Sequence, residues 1–196
     1  NPWATVVVRE DAQADHLSEE LDFSYSQRHG EGDKAWLGGK GKDDWESKEL
    51  IRTARNLQPH IIIDNRAELE QDLWTPEQFQ PTDWFRHPKT GELVTWEACQ
   101  TFSGSWGYYR DEFTWKSPEM LIRMLINTVS NGGNLIMNVG PTARGYLDHR
   151  AEEALAVYAD WMKYNSRSIY GCTKAEPEFK TPTDCRLTQS EDGKRL

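Results

Sequence analysis

Clusters of basic residues are missing from this chain. Its 23 lysines and arginines are spread along 196 residues and are outnumbered by 32 acids, for a net charge of −9. Without a basic patch, nucleic acid and anionic membrane are poor partners, and a neutral substrate fits better. No run of 18 apolar residues occurs, so no segment reads as a transmembrane helix. Cysteine is scarce: Cys99, Cys172 and Cys185 are odd in number and unpaired in spacing, which argues against a disulfide framework and against a zinc site. The five histidines lack ligand spacing, so neither a metal nor another cofactor is expected. Residues 1–10 lack a signal peptide's charged n-region and long apolar h-region, and the first residue is Asn rather than Met. The true start is therefore expected to lie outside the sequence, and no compartment is assigned.

What the chain has in quantity is tryptophan, nine residues of it. An indole offers a flat apolar face with one donor, which suits the C–H face of a sugar ring, although it also fills large cores. No solenoid repeat is visible. Strand-like and helix-like segments alternate. Residues 48–57 predict a helix, with Ser47 able to cap it and Leu50, Ile51, Ala54 and Leu57 on one face. "HIIID" (60–64) reads as a buried strand after Pro59. "VTWEACQTF" (94–102) is a further strand candidate. "SPEMLIRMLINTVS" (117–130) carries Ser at the cap, Pro at the first helical position and apolar residues at helical spacing. "NLIMNV" (134–139) follows "NGG" and reads as a buried strand, and 150–165 reads as an amphipathic helix with Ala154, Leu155, Tyr158, Trp161 and Met162 inward.

This rhythm is that of an α/β fold with a parallel sheet. A complete (β/α)₈ barrel takes about 250 residues; roughly four βα units are readable here. The expected fold is therefore the C-terminal half of such a barrel, incomplete in this chain. Residues 1–20 are left as an unplaced leader, 21–173 as the partial catalytic barrel, and the Pro-, Thr- and charge-rich 174–196 as an irregular tail or linker.

Three acids fall where barrel loops begin: Asp22 at the head of an aromatic stretch, Glu77 in "WTPEQF" and Glu97 in "TWEA". Two carboxylates flanking one bond form the basic kit for glycoside hydrolysis. Arg66, just past 60–64, can orient a carboxylate or a sugar hydroxyl; the structural alternative is a salt bridge with Asp64 or Asp72. "FSGSWGYYRDE" (102–112) interleaves glycines, which let a backbone approach a ligand, with aromatics that form a platform; the alternative is a tight loop with core aromatics.

"DFSY", "GKDDWESKELIRTARNLQPHIIIDNR", "TPEQ", "WEACQTFSGSWGYYRDE", "SPEMLIRMLINTVSNGGNLIMNVGPTARG" and "YADWMKYNSRSIYGCT" follow one another in an order that resembles the α-L-fucosidases of glycoside hydrolase family 29. The resemblance runs over roughly residues 21–173. It implies a barrel-like catalytic domain, a retaining two-step mechanism and release of terminal α-L-fucose from a fucosylated glycan or glycoside. It also implies roles: Asp22 as nucleophile, Glu77 as general acid/base with Glu97 as the rival, Arg66 in contact with the sugar, and Trp106 against its C6 methyl. Here Glu20 stands where the family has a Trp two residues ahead of the nucleophile, and the strand before Asp22 is not apolar. The first half of the barrel, with its share of the sugar pocket, is absent, so little or no activity is expected from this polypeptide alone. The rivals are a catalytically silent carbohydrate-binding fragment and a barrel glycosidase for another sugar.

Overall fold

A computed structural model describes residues 46–196. The described chain divides between Glu77 and Gln78 into two units.

In the first unit, helix α1 spans Ser47–Leu57. Ser47 is its first helical residue and is buried, not its cap. The cap is Glu46, left-handed at φ 51°, with no side-chain capping bond. The Glu46 carbonyl takes the amides of Glu49 at 2.8 Å and Leu50 at 3.0 Å, so the backbone closes the turn that the Ser47 hydroxyl was expected to close. Of the expected stripe only Ala54 is buried, and Leu57 is exposed.

The expected strand at 60–64 does not form. Among the described residues its one ladder contact is a parallel bridge between Asp64 and Leu73, and Ile62 is 50% exposed. Side chains occupy the positions a neighbouring strand would fill. Arg55 donates to the Ile61 carbonyl and to the Asp72 carboxylate, and Asp72 accepts the Ile63 amide at 2.8 Å. The Asp72 amide returns to the Ile63 carbonyl at 3.0 Å. Two extended segments are thus pinned side by side by one arginine and one aspartate.

The second unit is built on a βαβ unit: β1 (Glu97–Thr101), α2 (Pro118–Ser130) and β2 (Asn134–Asn138). The strands pair in parallel, from Glu97 opposite Asn134 to Thr101 opposite Asn138. Among the described residues this is the one parallel pair of strands, where about four βα units were expected. α2 starts as its sequence predicts: the Ser117 hydroxyl accepts the Met120 amide at 3.2 Å, and Pro118 opens the helix. Leu121, Leu125 and Val129 form the buried stripe and, with Trp96, Leu135 and Ile169, make the fully buried core. Burying each such aliphatic side chain is worth about 1.5–3 kcal/mol. A Cβ on Gly133 would sit 2.3 Å from the Trp96 indole, so the turn into β2 closes over the core only because that residue has no side chain. The start of β2 is buried as expected, but Ile136 at the strand's middle is exposed.

α3 (His149–Asn165) begins at Asp148, whose side chain accepts the Arg150 amide at 3.0 Å. Ala151, Ala154 and Tyr158 are its buried face, while Leu155, Trp161 and Met162 are partly exposed. A 3-10 turn (Ser166–Ser168) leads to β3 (Cys172–Lys174), which pairs antiparallel with β4 (Thr188–Ser190). β4 lies within 174–196, where the sequence predicted an irregular tail or linker; three residues are too few to carry an alternation signal. Among the described residues no helix is long and apolar enough to cross a membrane.

Candidate active site

The first unit brings two of the expected site residues together. Arg66 Nη1 donates to Glu77 Oε2 at 2.7 Å, and each side chain is only 4% exposed. Neither Asp64 nor Asp72 forms the salt bridge weighed for Arg66. Asp64 Oδ1 accepts the Arg66 backbone amide at 2.9 Å, and Asp72 pairs with Arg55. The Thr75 amide donates to Asn65 Oδ1 at 3.0 Å, which ties the approach to Glu77 to the segment that carries Arg66. A buried guanidinium held this way fixes where the Glu77 carboxylate points.

The second unit holds Glu97 and Trp106. Glu97 is the first residue of β1, opposite Asn134 at the start of β2. In parallel α/β folds the ligand sits at the other, carboxyl ends of the strands. At a rise of about 3.3 Å per residue, that end of β1 lies about 13 Å away. Trp106 is at the carboxyl end. It sits half-buried in the loop 102–117 that leaves β1 after Thr101 and leads into α2.

This loop is bonded to the ends of both strands. The Phe102 amide donates to the Asn138 carbonyl at 3.2 Å, and Asn138 Nδ2 donates to the Trp106 carbonyl at 2.6 Å. Lys116 Nζ donates to the carbonyls of Thr101 at 2.6 Å and Ser103 at 2.9 Å, and burial pulls its ammonium below the ordinary lysine range. A Cβ on Gly140 would lie 2.3 Å from the Tyr108 nitrogen, so the loop backbone rests directly on that glycine. The cleft beneath, lined by Phe102, Tyr108, Glu112, Trp115 and Asn138 among others, has a volume of about 10 Å³, room for about one water.

Glu112, which the sequence did not single out, closes the loop. Its Oε2 accepts the Ser105 hydroxyl at 2.6 Å, and its Oε1 accepts the Thr114 hydroxyl at 2.6 Å and amide at 2.8 Å. The Ser105 hydroxyl first, and then Thr114, hold this carboxyl well below its ordinary 4.5, at about 2. Arg150 Nη1 donates to the Glu112 carbonyl at 2.9 Å, and its guanidinium lies 4.8 Å from the Trp115 ring centre. The bond from Arg150 in turn holds the Asp148 carboxyl at about 2. The readable hint was an acid within a Gly- and aromatic-rich loop flanked by Ser and Thr. Asp22 lies outside the described residues, so its placement carries no geometry.

The model of the family "Alpha-L-fucosidase" matches residues 15–167, a span that takes in Asp22 as well as the described elements from α1 to α3. The chain is 42% identical over 157 residues to the plasma alpha-L-fucosidase of Homo sapiens, which covers 62% of this chain and 34% of that protein. Its structure is similar to alpha-L-fucosidase isoenzyme 1 from Paenibacillus thiaminolyticus, with 34% identity, a TM-score of 0.69, and coverage of 76% of this chain and 37% of that one. It is also similar to Thermotoga maritima alpha-fucosidase in complex with fucose, at 27% identity and a TM-score of 0.56, over 67% of this chain and 28% of that one. The chain thus spans about a third of the length of these relatives. On the family match and these likenesses, the chain belongs to the α-L-fucosidases of glycoside hydrolase family 29.

Proposed function

We propose that this chain is part of the catalytic domain of a retaining α-L-fucosidase, the C-terminal half of a (β/α)₈-like barrel carried by 21–173, with the family match reaching back to residue 15. Its substrate is a glycan or glycoside ending in α-L-fucose. In the first step an Asp22 carboxylate oxygen bonds to the anomeric carbon as the glycosidic C–O bond breaks, and protonated Glu77 gives its proton to the departing oxygen. In the second, Glu77 as carboxylate takes a proton from water, the water oxygen bonds to the anomeric carbon, and Asp22 leaves. Arg66 orients Glu77 and meets the sugar. Trp106 packs on the C6 methyl.

The observation that carries this reading is the Arg66–Glu77 pair. A carboxylate only 4% exposed and aimed by a buried guanidinium is a costly arrangement for a surface acid, and it fixes the direction of the carboxyl as an acid/base within reach of its proton partner requires. Glu77 is preferred to Glu97 because Glu97 opens β1 at its amino end.

A 2-fluoro-fucosyl fluoride tests the proposal at the level of a single bond. Asp22 displaces fluoride and forms an ester that the 2-fluoro group slows in hydrolysis. Mass spectrometry should place one added sugar on the peptide that contains Asp22, and Asp22→Asn should lose it. A label on another acid would overturn the nucleophile assignment. Because the chain spans about a third of its relatives, the silent-fragment reading has its own signature in the same experiment, which is binding of L-fucose with no labelled peptide. Comparing 4-nitrophenyl α-L-fucoside with the β-D-galactoside addresses the other-sugar reading, in which the preference for fucose would be lost.

A further inference from the structure

Among the described residues of the second unit, the side chain that collects the most loop donors is an acid to which the proposed mechanism gives no work. Glu112 is 6% exposed, although its neighbours Tyr109 and Phe113 are exposed. It draws on residues from both sides of the loop: Ser105 from before Trp106, and Thr114 from the return toward α2. Thr114 Oγ1 also accepts the Gly104 amide at 2.7 Å. A short chain of bonds thus runs from Gly104 and Ser105 through the carboxylate to Thr114, across the base of the turn that displays Trp106. From the other side, Asn138 holds the Trp106 carbonyl and Arg150 holds the Glu112 carbonyl. Two glycines, Gly104 and Gly107, flank Ser105 and Trp106 and add backbone freedom, so a turn of this composition needs cross-links to keep one shape.

We infer that Glu112 is a positioning residue for sugar recognition: its carboxylate ties Ser105 to Thr114 and so fixes the Trp106 indole where it discriminates a C6 methyl from a C6 hydroxymethyl group. The inference rests on the proposed contact between Trp106 and fucose. A carboxylate is required because only an acceptor-only group takes two hydroxyls and an amide at once. A glutamine in its place keeps the shape but turns one end into a donor, so the hydroxyl facing it must turn from donor to acceptor and loses its bond to an anion.

The test uses the full chain and measures the preference for L-fucose over L-galactose, its 6-hydroxy counterpart, by titration calorimetry. Wild type, Trp106→Ala, Glu112→Ala, Glu112→Gln and the Trp106→Ala/Glu112→Ala pair are compared, with Glu119→Gln on the exposed face of α2 as control. Amide hydrogen exchange over 103–114 is followed in each. Misplacement of a positioned group by about 1 Å costs up to about a hundredfold. Glu112→Ala and Glu112→Gln should therefore lower the fucose preference roughly tenfold or more and speed exchange in the loop, and the double variant should be no worse than Trp106→Ala. If Glu112→Ala fails to fold, Glu112→Gln carries the comparison. Faster exchange with an unchanged preference would make Glu112 merely structural and overturn the inference. So would effects of Trp106→Ala and Glu112→Ala that simply add. If Trp106→Ala itself leaves the preference intact, the proposed role of Trp106 fails and the inference fails with it; if only the Glu112 variants are silent, the inference fails alone.

Discussion

Removing one member of the Arg66–Glu77 pair should cost far more than removing both. The two side chains meet at 2.7 Å and are each 4% exposed, so water cannot take over when a partner is lost. Truncating one partner of a buried pair typically costs about 3–5 kcal/mol, because the charge left behind stays buried. Replacing both with apolar groups of similar volume is often close to neutral. Arg66→Met and Glu77→Leu alone should each lower stability by about 3–5 kcal/mol, or about 6–20 °C in Tm at roughly 2–4 °C per kcal/mol for a chain of this size. The double variant should recover most of that loss. The Arg66 amide bond to Asp64 is a backbone contact and survives all three substitutions. Urea midpoints for the four members of the cycle give the coupling directly. If the single losses add up to that of the double variant, the pair is not an energetic unit and the observation that carries the proposed function is gone. The same proteins also separate stability from chemistry. The double variant should be stable yet unable to hydrolyse an α-L-fucoside whose leaving group needs a proton, whereas a purely structural pair would return activity with stability.

Three further outcomes are expected. Leu125→Ala, in the buried stripe of α2 at 1% exposure, should cost about 2–5 kcal/mol, read from the urea midpoint; a loss below 1 kcal/mol would mean the α2 face is not core. Glu112 and Asp148 have folded-state values of about 2, below their ordinary 4.5 and 3.8, so the stability they supply is complete near pH 5 and is lost as pH falls toward 2; the urea midpoint should drop across that window, Glu112→Gln should flatten part of the drop, and a midpoint that ignores pH would count against both networks. Gly140→Ala would put a Cβ 2.3 Å from the Tyr108 nitrogen, so hydrogen exchange over 103–112 should quicken and the affinity for L-fucose should fall; an undisturbed loop would show that it does not rest on that glycine.

How much of this was legible differs by element, for physical reasons. α2 declares itself because its signals are local: Ser117 and Pro118 at the start and an apolar stripe at helical spacing. The strand pair was readable because its residues are followed or preceded by strong turn chemistry. Residues 60–64 misled because a β-branched run states a preference for extended backbone and says nothing about whether a neighbour will pair with it. Here Arg55 and Asp72 took the hydrogen-bonding positions. The partner of Arg66 was hidden for a similar reason. Asp64 and Asp72 are nearer in sequence, but Asp64 accepts the Arg66 backbone amide and Asp72 pairs with Arg55, while Arg66 Nη1 reaches Glu77, 11 residues away. Glu112 was invisible because its donors, at 105 and 114, converge only once the loop has closed.

These contacts also say which part of the proposed chemistry depends on what. Every bond described for the Trp106 loop comes from within residues 101–150: the carboxyl ends of β1 and β2, Glu112, Thr114, Lys116 and Arg150. The proposed recognition of the methyl group therefore draws on a frame built, among the described residues, within the second unit. Turnover is more demanding, because a retaining pair must hold its two carboxyls about 5–5.5 Å apart. That spacing depends on Asp22 as well as Glu77. Affinity for L-fucose and rate of hydrolysis should therefore respond to different substitutions. Changes at Glu112 and Gly140 should act on affinity and methyl preference, and changes at Asp22 and Glu77 on rate. A variant series in which affinity and rate always fell together would refute that division.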